Sequence, residues 1–306
     1  MQCIYEDMGC SMKTKSLMNN RNFIGYLFIL PSCCTLLVFV IFPLIASLIS
    51  SFFDFDIMLS KFDFIGFSNY RTVLEAERFW NSLKNTVYFT LVVVPLQNMI
   101  SLFVAVGVSK VSKLNAVFRT IYFLPVVCSM TVIALSFGML FNYNIGIVPA
   151  IIKSWGIKVP DLLNSTTWAM PTVMFISIFK SFGFNMVIFI AALQGVPRQL
   201  YEAAGIDGAT KTKSFFSITI PSIAPTIAFT MITSIIGSFQ VFDQVYVTTK
   251  GGPLFKTETI VQFIYERAFK TMEMGIATAA AFLLFIIILV ITIISFRFSQ
   301  KSEVNF

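Results

Sequence analysis

The sequence predicts an all-α membrane protein of six transmembrane helices, with a short exposed helix between the fourth and the fifth. Three observations predict it. Of 306 residues, 57% are hydrophobic and only 12% are charged, whereas soluble domains carry roughly 25% charged residues. Six apolar segments reach the ~20 residues that a helix needs to cross a ~30 Å hydrocarbon layer. Five of the six contain no Lys, Arg, Asp or Glu, and the fourth contains one such residue, Lys180. Continuous runs of this kind differ from the alternating ~10-residue segments of a membrane β-barrel.

The first run, Phe23 to Phe53, follows Lys13, Lys15 and Arg21. It is too long for the apolar core of a signal peptide, and no small-residue cleavage pattern closes it before Asp54, so it reads as an uncleaved anchor. Met8 and Met12 are alternative starts to Met1, and Met12-Lys13-Thr14-Lys15 makes the more ordinary beginning. The second run, Asn85 to Val108, holds Pro95 followed by Gln97-Asn98, read as a kink and its hydrogen-bond repair. The third covers Ile121 to Phe141, the fourth Trp168 to Leu193, the fifth Pro221 to Phe242 and the sixth Ile276 to Phe296. No linker or low-complexity tract divides the chain. The expected organisation is a cytoplasmic tail over 1–22, one membrane domain over 23–297 and a cytoplasmic tail over 298–306.

Lys and Arg near helix ends set orientation. With the N-terminus inside, the inner segments carry eleven cations and the longer outer loops ten, and the loop Lys110–Arg119 alone packs three. The acids lie five inside and ten outside. Both termini are therefore expected in the cytoplasm. The net charge of +7 has a sufficient reason in anionic lipid and does not point to nucleic acid. The chain has no His, which removes the commonest general base and zinc ligand. Its five Cys have no CxxC spacing, and Cys33, Cys34 and Cys128 sit in apolar runs. No metal site and no catalytic group is expected, and an intramembrane enzyme is disfavoured.

The most informative stretch lies between the fourth and fifth runs: Leu193-Gln-Gly-Val-Pro197, then Glu202-Ala203-Ala204-Gly205-Ile206-Asp207-Gly208-Ala209, continuing to Pro221. Pro197 suits a first helical turn. Leu200, Ala203 and Ala204 share a face. Ala204/Gly208 and Gly205/Ala209 are small-residue pairs four apart, which let another backbone approach. Gly208 can end the helix at positive φ. Phe215, Phe216, Ile218 and Ile220 form a second amphipathic piece before Pro221. A compact helix and turn of this kind suits a groove on a partner.

Glu202-Ala203-Ala204, Gly208, Ile218 and Ile220-Pro221 in this spacing resemble the EAA loop of ABC importer permeases, with Ile220 where Leu is usual. Gly66-Phe-Ser-Asn69-Tyr70-Arg71, Phe79-Trp80 and Asn85-Thr86 look like the first outer loop of the carbohydrate branch. Phe179-Lys180-Ser-Phe-Gly183-Phe-Asn185-Met186 is similar to its fourth helix. Gly251-Gly252-Pro253 with Thr257, Thr259, Tyr265 and Ala268-Phe269 is similar to its last outer loop. The resemblance implies a permease subunit in a bacterial or archaeal cell membrane. It implies a second, homologous but non-identical permease subunit, two ATPase subunits docked on the EAA loops and an extracellular solute-binding protein that delivers a sugar. ATP and Mg would bind the ATPase, since this chain has no G-x-x-x-x-G-K-[ST] loop and is expected to bind no cofactor. The alternative cargo is glycerol phosphate or another small polar solute; a stand-alone carrier is the remote alternative.

Candidate residues follow. Glu202, Ala203, Ala204, Gly205, Asp207, Gly208, Ala209, Ile218 and Pro221 are expected to couple to the ATPase. Ser181, Asn185, Ser238 and Gln240 are candidates for the solute pathway, with interhelical hydrogen bonding as the plainer reading. Lys180 reads first as a structural pin that snorkels or bonds a carbonyl, and second as a substrate or gate contact. Gly251, Gly252 and Pro253 read as a tight turn, with contact to the binding protein as the alternative.

Overall fold

The computed structural model describes residues 21–56, 62–109 and 115–303. Lys13, Lys15, Lys110, Lys113 and the alternative start sites lie outside the described residues. The described chain is mainly helical. Four helices are long and apolar enough to span a membrane, and two bent pairs raise the number to six if each pair is one span.

The first candidate span, Gly25–Ser50, joins α1 (Arg21–Leu36) to α2 (Phe42–Ser50) through a π-helical turn, Leu37–Ile41. No residue of its most apolar stretch is buried, as expected of a helix that faces lipid or another subunit. It ends earlier than its hydrophobicity suggests, because Phe53–Phe55 (β1) pairs antiparallel with Phe62–Phe64 (β2). The Phe-Asp-Phe alternation places Phe53 opposite Phe64 and Phe55 opposite Phe62, so the rings share one face. This small hairpin departs from the expected all-helical architecture.

A short helix, α3 (Ser68–Glu75), leads into the 33-residue α4 (Glu77–Ser109). Its main partner is α8 (Ala169–Gln194). These two helices form the axis of the molecule, and three apolar clusters lie along them. Phe79 packs with Phe263 and Ala280 at one end, Phe89 and Val93 with Val173 in the middle, and Ala105 with Met186 and Phe189 at the other end. In lipid these contacts act through close packing, since the tails are as apolar as the side chains.

The third run is not one straight span. It divides into α5 (Asn115–Val127) and α6 (Met130–Leu140), bent by 94° at Cys128-Ser129. Neither residue is a helix breaker, but Pro125 lies in the last turn before the bend. Beyond it come α7 (Ile147–Ser154), α8, and the short α9 (Arg198–Ile206). The fifth run is also broken. A segment of α10 (Lys211–Ser214), a π-helical turn and α11 (Ile220–Ser222) meets α12 (Ala224–Phe239) at 66°. After α13 (Asp243–Thr248) and α14 (Ile260–Tyr265), α15 (Met274–Glu303) supplies the last span, Met274–Arg297. The molecule thus has a capped end, where β1–β2, α3 and residues 249–273 fold over the helices, and an open end, where α9 stands.

Candidate functional site

A cavity of about 310 Å³ opens between α4, α8 and α12, near mid-span, within the ~300–1,000 Å³ range of small-molecule sites. Its polar lining includes Gln97 from α4, Ser177, Lys180 and Asn185 from α8, Ser234 from α12 and Gln244 from α13. A three-helix hydrogen-bond cluster holds its wall. Asn185 Nδ2 donates to Ser234 Oγ at 3.0 Å and to Asn98 Oδ1 at 3.3 Å, and Asn98 Nδ2 donates back to the Val94 carbonyl at 2.8 Å. Gln244 Nε2 donates to Ser177 Oγ at 2.6 Å. Lys180 Nζ donates to the Val126 carbonyl at 2.9 Å. Val126 lies in the last turn of α5, where carbonyls have no helical donor, so Lys180 caps the helix at its break. Gly183 makes that reach possible: a Cβ there would collide with the Tyr122 carbonyl and approach Val126 Cγ2 at 3.1 Å.

At the open end, Pro197 is extended (φ −61°, ψ 129°) and starts α9. The helix stops in a Schellman arrangement. Gly208 takes φ +73°, its N–H donates to the Gly205 carbonyl at 3.1 Å, and Ala209 N–H donates to the Ala204 carbonyl at 2.9 Å. Most of α9 is exposed, including Glu202, Ala203 and Gly205, and the Ile206 side chain is 89% exposed. Tyr201 is the tether: its hydroxyl shares a 2.8 Å hydrogen bond with Thr219 Oγ1. A groove of about 630 Å³ runs between α9 and the segment that follows, with Gly205, Ala209 and Phe215 in its wall.

The capped end is closed by charge. Arg78 grips Glu258 through two hydrogen bonds, Nε to Oε2 at 2.9 Å and Nη2 to Oε1 at 2.5 Å, and also bonds Glu266. Its guanidinium lies 4.2 Å from the Phe255 ring centroid. Lys270 donates to Glu266 at 2.8 Å. The Glu258 side chain is fully buried; burial pushes its carboxyl up from the ordinary value against the pull of Arg78. For Glu266, desolvation acts upward too, but hydrogen bonds from Lys270 and Arg78 outweigh it and hold the carboxyl low. Asn85 Nδ2 donates to the Phe255 and Glu258 carbonyls, and Thr86 Oγ1 accepts from Ile260 N–H at 3.0 Å. Among the described residues, no group of three His, Cys, Asp or Glu could hold a metal ion.

Residues 97–303 match the family of binding-protein-dependent transport system inner membrane components. This chain belongs to that family. It is 34% identical to the probable ABC transporter permease protein YesP of Bacillus subtilis, over 95% of this chain and 94% of that one. It is 34% identical to the lactose transport system permease protein LacF of Rhizobium radiobacter, over 89% and 91%. Its fold matches a subunit of a bacterial alginate ABC transporter solved in complex with an alginate pentasaccharide-bound periplasmic protein: TM-score 0.82, 23% identity, 94% of this chain and 96% of that one. That last likeness shows the fold alone. The protein is a multi-pass inner-membrane permease component of an ABC transporter.

Within this permease, Lys180, Ser181, Asn185 and Ser238 meet around the polar mid-span cavity. Gln240 does not: it caps the end of α12, exposed to the outside. Glu202, Ala203, Ala204, Gly205, Asp207, Gly208 and Ala209 form α9 and its stop, while Ile218 and Pro221 belong to the broken segment that follows. Gly251 is buried at φ +82° against Gln262, and the part that projects is Leu254, Phe255 and Lys256. Sequence reasoning missed Gln97, Ser177, Ser234 and Gln244 in the cavity wall. Gln97 was legible as a polar residue in an apolar run, but its place beside Pro95 drew it into the kink. The Arg78–Glu258 pair joins residues 180 positions apart, and no local pattern announces it.

Proposed function

We propose that this chain is the translocation-pathway subunit of an ATP-driven importer for a sugar that an extracellular solute-binding protein delivers. In this reading the six runs are six spans, the third and fifth of them broken, within one domain over 23–297. Both termini and α9 face the cytoplasm, and the capped end faces outward with Leu254 and Phe255 as the contact for the binding protein. A second, homologous permease subunit covers the exposed first span. Two ATPase subunits, which hold ATP and Mg, dock on the α9 helices of the pair, and this chain performs no hydrolysis and binds no cofactor itself. The mid-span cavity is the solute's station, where amides and hydroxyls of Asn185, Ser181 and Ser238 match sugar hydroxyls. Sugar as cargo draws support from the lactose permease among the relatives.

One observation carries the reading: α9 is a short helix with a firm stop at Gly208 that leaves Ile206 and its small residues uncovered, and among the described residues its side-chain hydrogen bond to the rest of the fold is Tyr201 to Thr219. Such a surface is complete only when a partner covers it. ATP-driven closure of the partner would push α9 and tilt α8 and α12 between two packings. The test is Gly208→Val in vesicles that contain the complete transporter. A β-branched residue in the left-handed region costs about 1–2 kcal/mol, enough to reshape the stop while the spans stay folded. Solute uptake and solute-stimulated ATP hydrolysis are expected to fall together, by about tenfold or more, at unchanged membrane level. Survival of both activities rejects the coupling role.

A further inference from the structure

We infer that the mid-span cavity selects a solute that carries an anionic group, and that Lys180 makes the selection. The inference rests on the reading of this cavity as the solute's station. It narrows the cargo to acidic saccharides, those bearing a carboxylate, phosphate or sulfonate.

An ammonium has three N–H donors and no acceptor. One donor of Lys180 goes to the Val126 carbonyl at 2.9 Å. Among the described residues that carbonyl is its one hydrogen-bond partner, and Lys180 takes part in none of the ion pairs. A carbonyl is neutral, so the bond orients the ammonium and leaves its charge uncompensated. None of the residues lining the cavity is Asp or Glu.

Snorkelling does not remove the charge either. Lys180 lies eleven residues from the start of α8 and fourteen from its end, roughly 16 and 21 Å at 1.5 Å per residue. Both distances are beyond the reach of a four-carbon stem. The charge therefore stays at mid-span, where translocon scales place the cost of a Lys near 2.5–3.5 kcal/mol. A cost of that size persists where the charge has a function or a partner. Here the remaining lining is built of amides and hydroxyls, among them Gln97, Ser181, Thr233, Ser238 and Gln244. Each can turn an N–H or O–H toward an oxyanion, and each can equally serve a neutral hydroxyl. The ammonium breaks that tie. It repels a cationic solute, donates a hydrogen bond to a neutral hydroxyl, and with an anionic group adds the attraction of opposite charges to that bond.

Lys180 also pins the break between α5 and α6, so the test separates pin from selector. Lys180→Gln removes the charge and keeps a donor; Lys180→Arg keeps the charge. The transporter, complete with its ATPase and binding protein, is reconstituted in vesicles and offered labelled lactose, digalacturonate and glucose 6-phosphate. Basal ATP hydrolysis reports intact assembly. The expected result is uptake of an acidic probe that falls about tenfold or more in Lys180→Gln, the size of a lost charge-assisted bond, and is retained in Lys180→Arg. Lactose uptake, where present, falls markedly less than uptake of the acidic probe in Lys180→Gln. Uptake of lactose alone, or an equal fall for neutral and acidic probes, overturns the selector and leaves the sugar importer standing. Uptake of none of the three by the unaltered transporter removes the importer reading and the selector with it. If the variants fail to assemble, competition in the unaltered transporter decides: excess digalacturonate or glucose 6-phosphate must suppress uptake of the labelled solute more than excess lactose does, or the selector falls.

Discussion

The two ends of the molecule are built on opposite principles. At the capped end, Arg78, Glu258, Glu266 and Lys270 form a charge network closed over by Phe255, and Asn69, Asn85 and Thr86 tie loop backbone to helix. Asn69 alone donates to the Ser51 and Phe53 carbonyls at 2.9 Å each, and Gly275 leaves the space it occupies. At the open end, α9 has a firm C-terminal stop but, among the described residues, one side-chain tether, Tyr201 to Thr219. The residues with family-like motifs at the capped end thus spend their side chains inside the chain, while those of α9 leave theirs unspent. An element that must take force from a partner is better attached to its own fold by little and to its partner by much.

That contrast can be broken in three ways. The largest effect is expected from Arg78→Ala. It leaves Glu258 buried without a partner, a loss of about 3 kcal/mol for a buried pair cut on one side. Thermal unfolding of the purified permease in detergent should show it, and an unchanged midpoint would mean that the network is ornamental. Tyr201→Phe should cost only about 1 kcal/mol, the value of one hydrogen bond. Its unfolding midpoint should barely move, while solute-stimulated ATP hydrolysis drops; the reverse pattern would place Tyr201 in the fold rather than the tether. The smallest effect concerns pH. Glu266 is held below its ordinary 4.5, so its contribution to stability is present above that pH and is lost as pH falls through the folded value. Glu258 is held above 4.5, so its contribution has the opposite sign and is lost as pH rises through its folded value. The two act in different windows, Glu266 below pH 4.5 and Glu258 above it. Glu258→Gln removes the second, so the gain in stability as pH falls toward 4.5 should be missing from the variant, while its behaviour below 4.5 stays as in the unaltered protein. Parallel titrations of stability above pH 4.5 would contradict this.

Much of the fold was legible because lipid imposes one coarse rule, length of apolar run, and four of the six runs form helices of that length while the other two form bent pairs. The stop of α9 was legible because Gly208 needs a left-handed backbone and little else explains Gly after Asp207 there. The bends were not. Pro125 stands three residues before the break at Cys128-Ser129, but the contacts that hold the break, Lys180 and Gly183 from α8, are tertiary. Gln240 looked like a pathway residue because polar groups in apolar runs attract that reading, yet α12 ends one residue earlier. Asn98 read as a kink partner beside Pro95, yet its side chain bonds the Val94 carbonyl rather than that of Leu91, which Pro95 leaves without a donor, and its contact with Asn185 requires two helices to be seen together. The small β1–β2 hairpin escaped because its strands are three residues long and abut an apolar helix.

At Gly183 the backbones of α5 and α8 meet across a hydrogen atom. Rods locked most closely at one place move least there when an end of either is pushed. The contact sits beside the Lys180 clasp, partway between the two ends of α8. It can therefore serve as a fulcrum: a small displacement at the α9 end of the rod returns as an opposite displacement toward the capped end, with the cavity close to the axis where the motion is least.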